Sequence, residues 1–109
     1  LVAAIRAARD VTHDLPLIAQ MSFTDDEDTL TGNTPEEIVA ALRDLRVDVI
    51  GANCSVGPAG TFNALKRLIA ARNSIPHHPL PFTSVMPNAG FPARVCERYL
   101  YLSSPQYFA

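Results

Sequence analysis

Three short apolar runs, at residues 17–23, 47–53 and 80–86, alternate with stretches of helical spacing, and this order constrains the fold more than any other feature of the chain. Runs of this length suit buried strands, and strands separated by helices pair in parallel. The first run is introduced by Leu15-Pro16 and ends in a polar loop through Asn33. The next helix has an explicit start: Thr34 as cap, Pro35 at the first position and Glu37 to close a capping box, with Ile38, Leu42 and Leu45 as its buried stripe. After the second run, Gly57 and Pro58 open a helix predicted over 58–72, with Phe62, Leu65 and Ile69 on one face and Asn73 as its stop. Pro79, Pro81 and Pro87 bound the third run and bar a regular central ladder where they stand. A helix is also expected over 1–9, with Leu1, Ile5 and Ala8 along one side.

These elements make an α/β chain with a parallel sheet. Three parallel strands under three helices close poorly, because such strands are normally buried on both faces and have neighbours on both edges. The helix over 1–9 lacks a capping residue in front, and Ser104-Pro105 opens a helix without a body. The expectation is therefore that residues 1–109 form one partial domain, truncated at both ends. Hydrophobic residues at 48% with charged residues at 18% fit a globular domain. Nothing resembles a membrane span or a signal peptide, and a cytoplasmic setting is expected. A formal net charge of −2, with nine Lys and Arg spread along the chain, gives neither a basic stripe for nucleic acid nor a polybasic patch for a membrane.

The run Gly51-Ala52-Asn53-Cys54-Ser55-Val56-Gly57-Pro58 places a cysteine where a strand ends and a helix is about to begin. Active sites of α/β proteins gather at such ends. There, backbone N–H groups and the helix dipole favour a thiolate, which can ligate a metal or act as a nucleophile. Burial as a small apolar side chain is the competing reading. Two cysteines without a secretory signal argue against a disulfide framework, and the separation of Cys54 from Cys96 matches no local zinc motif.

The residues around Cys54 resemble the zinc-dependent homocysteine S-methyltransferases, whose Gly-x-Asn-Cys signature followed by Gly-Pro is matched by Gly51, Asn53, Cys54, Gly57 and Pro58. The likeness extends to Pro87-Asn88-Ala89-Gly90-Phe91-Pro92, to Gln20-Met21-Ser22-Phe23, and to Gly32 with Thr34-Pro35-Glu36-Glu37. It covers nearly the whole chain. The terminal Tyr101-Leu102-Ser103-Ser104-Pro105-Gln106-Tyr107-Phe108 looks closest to bifunctional proteins that join this domain to a methylenetetrahydrofolate reductase.

The resemblance implies a (βα)8 TIM barrel, of which this chain would hold about strands five to seven. It implies a zinc site of three cysteine thiolates, the first matching Cys54 and the other two from a Gly-Gly-Cys-Cys segment that does not occur in these residues. The substrates implied are homocysteine and a methyl donor, and the product is methionine, within one-carbon metabolism. Methyl-cobalamin, S-methylmethionine and betaine are all donors in the family, and a reductase domain would carry FAD outside this segment. With one thiolate of three, the chain by itself is expected to be inactive.

Asn88, on the same strand edge as Cys54, is implied to approach the metal when substrate is absent, against the reading of an ordinary turn asparagine. Asn53 is read as a supporting residue that orients the Cys54 loop. Plainer roles go to the remaining tempting groups. His77 and His78 are read as solvated loop, Asp25, Asp26, Glu27 and Asp28 as a solvated acidic loop without calcium-loop spacing, and Cys96 as a buried or idle thiol. Two other classes stay open: a small anion-binding module in which Ser55-Val56-Gly57-Pro58-Ala59-Gly60 cradles the ligand at the helix start, and a noncatalytic truncated remnant.

Overall fold

The computed structural model describes residues 1–54, 56–76 and 79–108. The chain opens with helix α1 (Val2–Val11) and continues as β1 (Ile18–Met21), α2 (Pro35–Leu42), β2 (Val49–Asn53), α3 (Pro58–Ser74) and β3 (Phe82–Met86). A hairpin of β4 (Pro92–Val95) and β5 (Arg98–Tyr101) follows, then a single 3-10 turn, Pro105–Phe108. The first three strands form one parallel sheet in the order β1-β2-β3, with Gln20 opposite Gly51 and Gly51 opposite Ser84. This is the expected α/β arrangement.

Both crossover helices lie on one face of that sheet. Ala19 on β1, Ile50 and Ala52 on β2, Ile38, Val39 and Leu42 on α2, and Ala64 and Leu68 on α3 share one buried cluster. Because side chains alternate along a strand, Ile18, Gln20, Val49, Gly51, Phe82, Ser84 and Met86 point to the other face. Among the described residues no helix covers it, and Ile18, Phe82 and Met86 are 62%, 76% and 62% exposed.

Capping chemistry explains where α2 starts. The Thr34 hydroxyl accepts from the Glu37 N–H at 3.2 Å, the Glu37 carboxylate accepts from the Thr34 N–H at 3.0 Å, and Pro35 occupies the first turn. Leu45 lies past the end of this shorter helix and is only partly buried against the core. In α3 the buried positions are Thr61, Ala64, Leu65 and Leu68, whereas Phe62 is 55% exposed. Small Ala64 and Thr61 face the sheet because α3 sits close against β2 and β3, which rotates Phe62 outward; of the expected stripe, Leu65 is buried, Ile69 is half-buried and Phe62 is not part of it. The helix also runs past Asn73 to Ser74, with Ile75 as its C-cap.

At the N-terminal ends of the strands, Arg9 ties α1 to the sheet. Its guanidinium donates to the carbonyls of Leu15, at 2.8 Å, and Arg46, and pairs with Asp48 at 2.7 Å. The Leu17 N–H also donates to Asp48, at 2.7 Å; this bond first and Arg9 second hold the Asp48 carboxyl below its ordinary value.

The β4–β5 hairpin has no counterpart in the expected elements. Its two-residue turn is Cys96-Glu97, with φ of 46° and 63°. Positive φ at both turn positions matches the twist of the strands, but the usual sequence signal is Asn-Gly, which is absent here. Cys96 is exposed at this tip, so its burial reading is corrected. The helix expected after Ser104 is a 3-10 turn of four residues. Among the described residues no helix is long and apolar enough to cross a membrane.

Candidate functional site

The C-terminal edge of the sheet brings together the ends of all three strands. β1 leads into Ser22, β2 ends at Asn53 and Cys54, and β3 leads into Pro87 and Asn88. Pairing continues beyond β2, because the Cys54 N–H donates to the Met86 carbonyl at 3.0 Å. Cys54 is exposed and has a φ of 55°. A side chain in this left-handed conformation costs about 1–2 kcal/mol. Here the chain turns off the sheet edge, and the Val56 N–H donates back to the Cys54 carbonyl at 2.8 Å.

The Asn53 amide oxygen accepts from the Ser22 hydroxyl at 3.3 Å, a side-chain bond that joins the ends of β1 and β2 beside Cys54. One layer deeper, the Gln20 amide donates to the Ser84 hydroxyl at 2.7 Å. These two residues lie on strands two spacings apart, about 9–10 Å. They meet because Gly51, between them, has no side chain; a Cβ there would lie 2.6 Å from the Ser84 hydroxyl and closer still to its carbonyl. Ser84 was not singled out from the sequence, and Gln20 and Ser22 entered it only within the family-like run Gln20-Met21-Ser22-Phe23, with no role assigned. Alternation within each run puts Gln20, Gly51 and Ser84 on one face of their own strands, but only the register between strands brings them together.

Asn88 is half-buried and follows β3 by two residues, so the structure places it on the strand edge adjacent to that of Cys54. Helix α3 begins immediately after the Cys54 turn. Gly57 caps it without a side-chain bond, Pro58 is its first residue, and no acidic residue lies in its first turn. Its positive end therefore faces the loop uncompensated. Ser55 lies outside the described residues, as do His77 and His78, so their roles as an anion cradle and as solvated loop gain nothing from the structure.

The acidic loop is more structured than its composition implies. Asp25 and Asp26 are exposed, but Glu27 and Asp28 are half-buried and lie 3.7 and 3.6 Å from Arg67 on α3. Arg67 also grips Glu36 at 2.8 Å, which holds that carboxyl below its ordinary value. Three carboxylates around one guanidinium clamp the loop after β1 onto the helical layer. Among the described residues, no three His, Cys, Asp or Glu side chains gather as they would to hold a metal ion. At this edge the described residues offer a metal one thiol, that of Cys54, while the other free thiol, Cys96, stands at the tip of the β4–β5 hairpin. The Cys54 thiol suits zinc as one ligand of a tetrahedral set and is insufficient alone.

Comparison with known proteins gives a consistent result. A family model described as homocysteine S-methyltransferase matches residues 1–109. Two curated relatives, both named methionine synthase, from Mycobacterium leprae and Mycobacterium tuberculosis, are each 33% identical over 87 residues, which is 80% of this chain. The matched region spans 7% of the length of either relative.

Proposed function

Because the chain belongs to the homocysteine S-methyltransferase family, we propose that it is the part of a homocysteine-binding barrel that carries the first metal ligand. In this reading the longer protein transfers a methyl group to the sulfur of homocysteine, and the product is methionine, as the names of the relatives suggest. The observation that carries the reading is the position of Cys54. It stands at the C-terminal end of β2, on the edge where barrel enzymes assemble their sites, turned off the sheet and exposed.

The barrel reading is supported by strand order and layering. In doubly wound sheets the order reverses and helices cover both faces. Here the order is sequential, the helices occupy one face, and the other carries side-chain layers of the kind that fill a barrel. The family resemblance would make β1 to β3 the fifth, sixth and seventh strands of eight.

Each residue at the edge has a part in this mechanism. Cys54 supplies one thiolate to zinc, and the remaining donors come from a segment outside these 109 residues. A zinc ion held there would lower the pKa of a coordinated homocysteine thiol, so that its proton would be lost to solvent and the sulfur would stand as a thiolate at neutral pH. Asn53, held by Ser22, fixes the end of β2 so that Cys54 keeps its direction. Asn88, on the neighbouring strand edge, would contact the substrate or, in its absence, the metal. The methyl donor is bound elsewhere in the longer protein, and any FAD belongs to a separate reductase domain.

The test is homocysteine methylation by the longer protein with Cys54→Ser and by the 109-residue chain supplied with zinc, homocysteine and methyl donor. The reading expects loss of both zinc and methionine formation in the variant, and no methionine from the short chain. Full activity of Cys54→Ser would overturn it.

A further inference from the structure

Two glycines at the functional edge are crowded by the same C-terminal segment. A Cβ at Gly57, in the loop after β2, would collide with the Tyr107 hydroxyl and lie 3.2 Å from the Cζ of its ring. A Cβ at Gly90, in the loop after β3, would collide with the Ser103 hydroxyl, and the φ of 86° at Gly90 already favours glycine. Ser103 is bonded there as well, donating to the Ala89 carbonyl at 2.6 Å. Between these anchors the chain is stiffened by the 3-10 turn, in which the Tyr107 N–H donates to the Ser104 carbonyl at 3.0 Å. The Tyr107 and Phe108 rings meet edge to face at 5.2 Å.

From this geometry we infer that residues 103–108 form a strap tying the Cys54–Gly57 loop to the Pro87–Gly90 loop, with Tyr107 and Ser103 as positioning residues for Cys54 and Asn88. The physical need is clear. Metal–ligand distances tolerate only about 0.2 Å, yet Cys54 stands on an exposed turn and Asn88 on a loop. The hydrogen bond from the Cys54 N–H to Met86 fixes the start of the turn, and α3 fixes its end. Tyr107 packs at Gly57, where turn and helix join. Ser103 does the same for the second loop, so the strap couples the two edges at which the candidate ligand and the candidate substrate contact stand. The functional consequence rests on the reading of Cys54 and Asn88 as site residues; the strap itself does not.

Amide exchange and ¹⁵N relaxation on the 109-residue chain test it with no metal or homocysteine present. In Tyr107→Ala, exchange at the Cys54 and Val56 amides accelerates at least about tenfold while α2 amides stay protected, as expected of a local opening. Tyr107→Phe, which keeps the ring against Gly57, recovers most of the protection. In Ser103→Ala, order parameters at Ala89 and Gly90 fall from about 0.85 towards 0.6. The inference is overturned if Tyr107→Ala leaves Cys54 and Val56 exchange within about twofold of the unmodified chain. Should Tyr107→Ala fail to fold, the Ser103→Ala order parameters decide, since one hydroxyl is removed from outside the core, and unchanged values overturn the strap. A Cys54→Ser longer protein that keeps its zinc overturns the metal reading alone.

Discussion

The two faces of the parallel sheet are built on opposite terms. On the helix-covered face, Ala19, Ile50 and Ala52 meet Leu68 and Ala64 and are at most 2% exposed. On the other, Ile18, Phe82 and Met86 remain mostly open, and the closest interaction is polar, between Gln20 and Ser84 across Gly51. The first face is a finished core, whereas the second leaves its large apolar side chains open to solvent. The difference teaches where stability and chemistry reside. Helix packing holds the strands, and the candidate site residues Asn53, Cys54 and Asn88 stand at the C-terminal edge.

This contrast is open to mutation. The largest effect belongs to the covered face: Leu68→Ala, at a fully buried site, is expected to cost about 2–5 kcal/mol in urea unfolding. On a domain stabilised by about 5–15 kcal/mol that is a large share. Gly51→Ala sharpens the comparison by probing a tight place on the uncovered face. Its Cβ would press on Ser84, whose carbonyl is backbone and cannot swing aside, so a loss of about 1–3 kcal/mol is expected. An unchanged unfolding midpoint would show that β2 and β3 are less closely paired than described.

Thr34→Ala removes half of the capping box on the helical layer and should cost about 1 kcal/mol, read as a lowered urea midpoint. Acid gives a smaller, graded effect. Asp48 and Glu36 have carboxyl values depressed in the folded chain, so their contribution is complete above the unfolded values near about 4. It is lost as pH falls through the lower folded values. Stability measured from pH 7 down to 3 should decline in that last stretch, and Asp48→Asn should flatten part of the decline. Smallest of all, Phe82→Ser on the uncovered face should shift stability by no more than about 0.5 kcal/mol in this chain. A loss as large as that of Leu68→Ala would mean that the two faces are equally packed.

Much of this arrangement was legible because it is local. The alternation of runs gave three parallel strands, and Thr34, Pro35 and Glu37 marked the start of α2 to the residue. The Asn53-Cys54 placement at a strand end followed from the run that precedes it. What remained hidden depends on contacts between distant residues. The outward turn of Phe62 is set by how closely α3 approaches the sheet. The grip of Arg67 on Glu27, Asp28 and Glu36 joins three segments, and no spacing rule links them. The hairpin at Cys96-Glu97 lacked its usual turn residues, and the approach of Tyr107 to Gly57 has no local signature.

The central claim is that Cys54 binds zinc at the C-terminal edge of the sheet, and zinc X-ray absorption on the longer protein tests it most directly. The account predicts a sulfur shell at about 2.3 Å that loses one sulfur in Cys54→Ser and keeps it in Cys96→Ser. An unchanged sulfur shell in Cys54→Ser would contradict it.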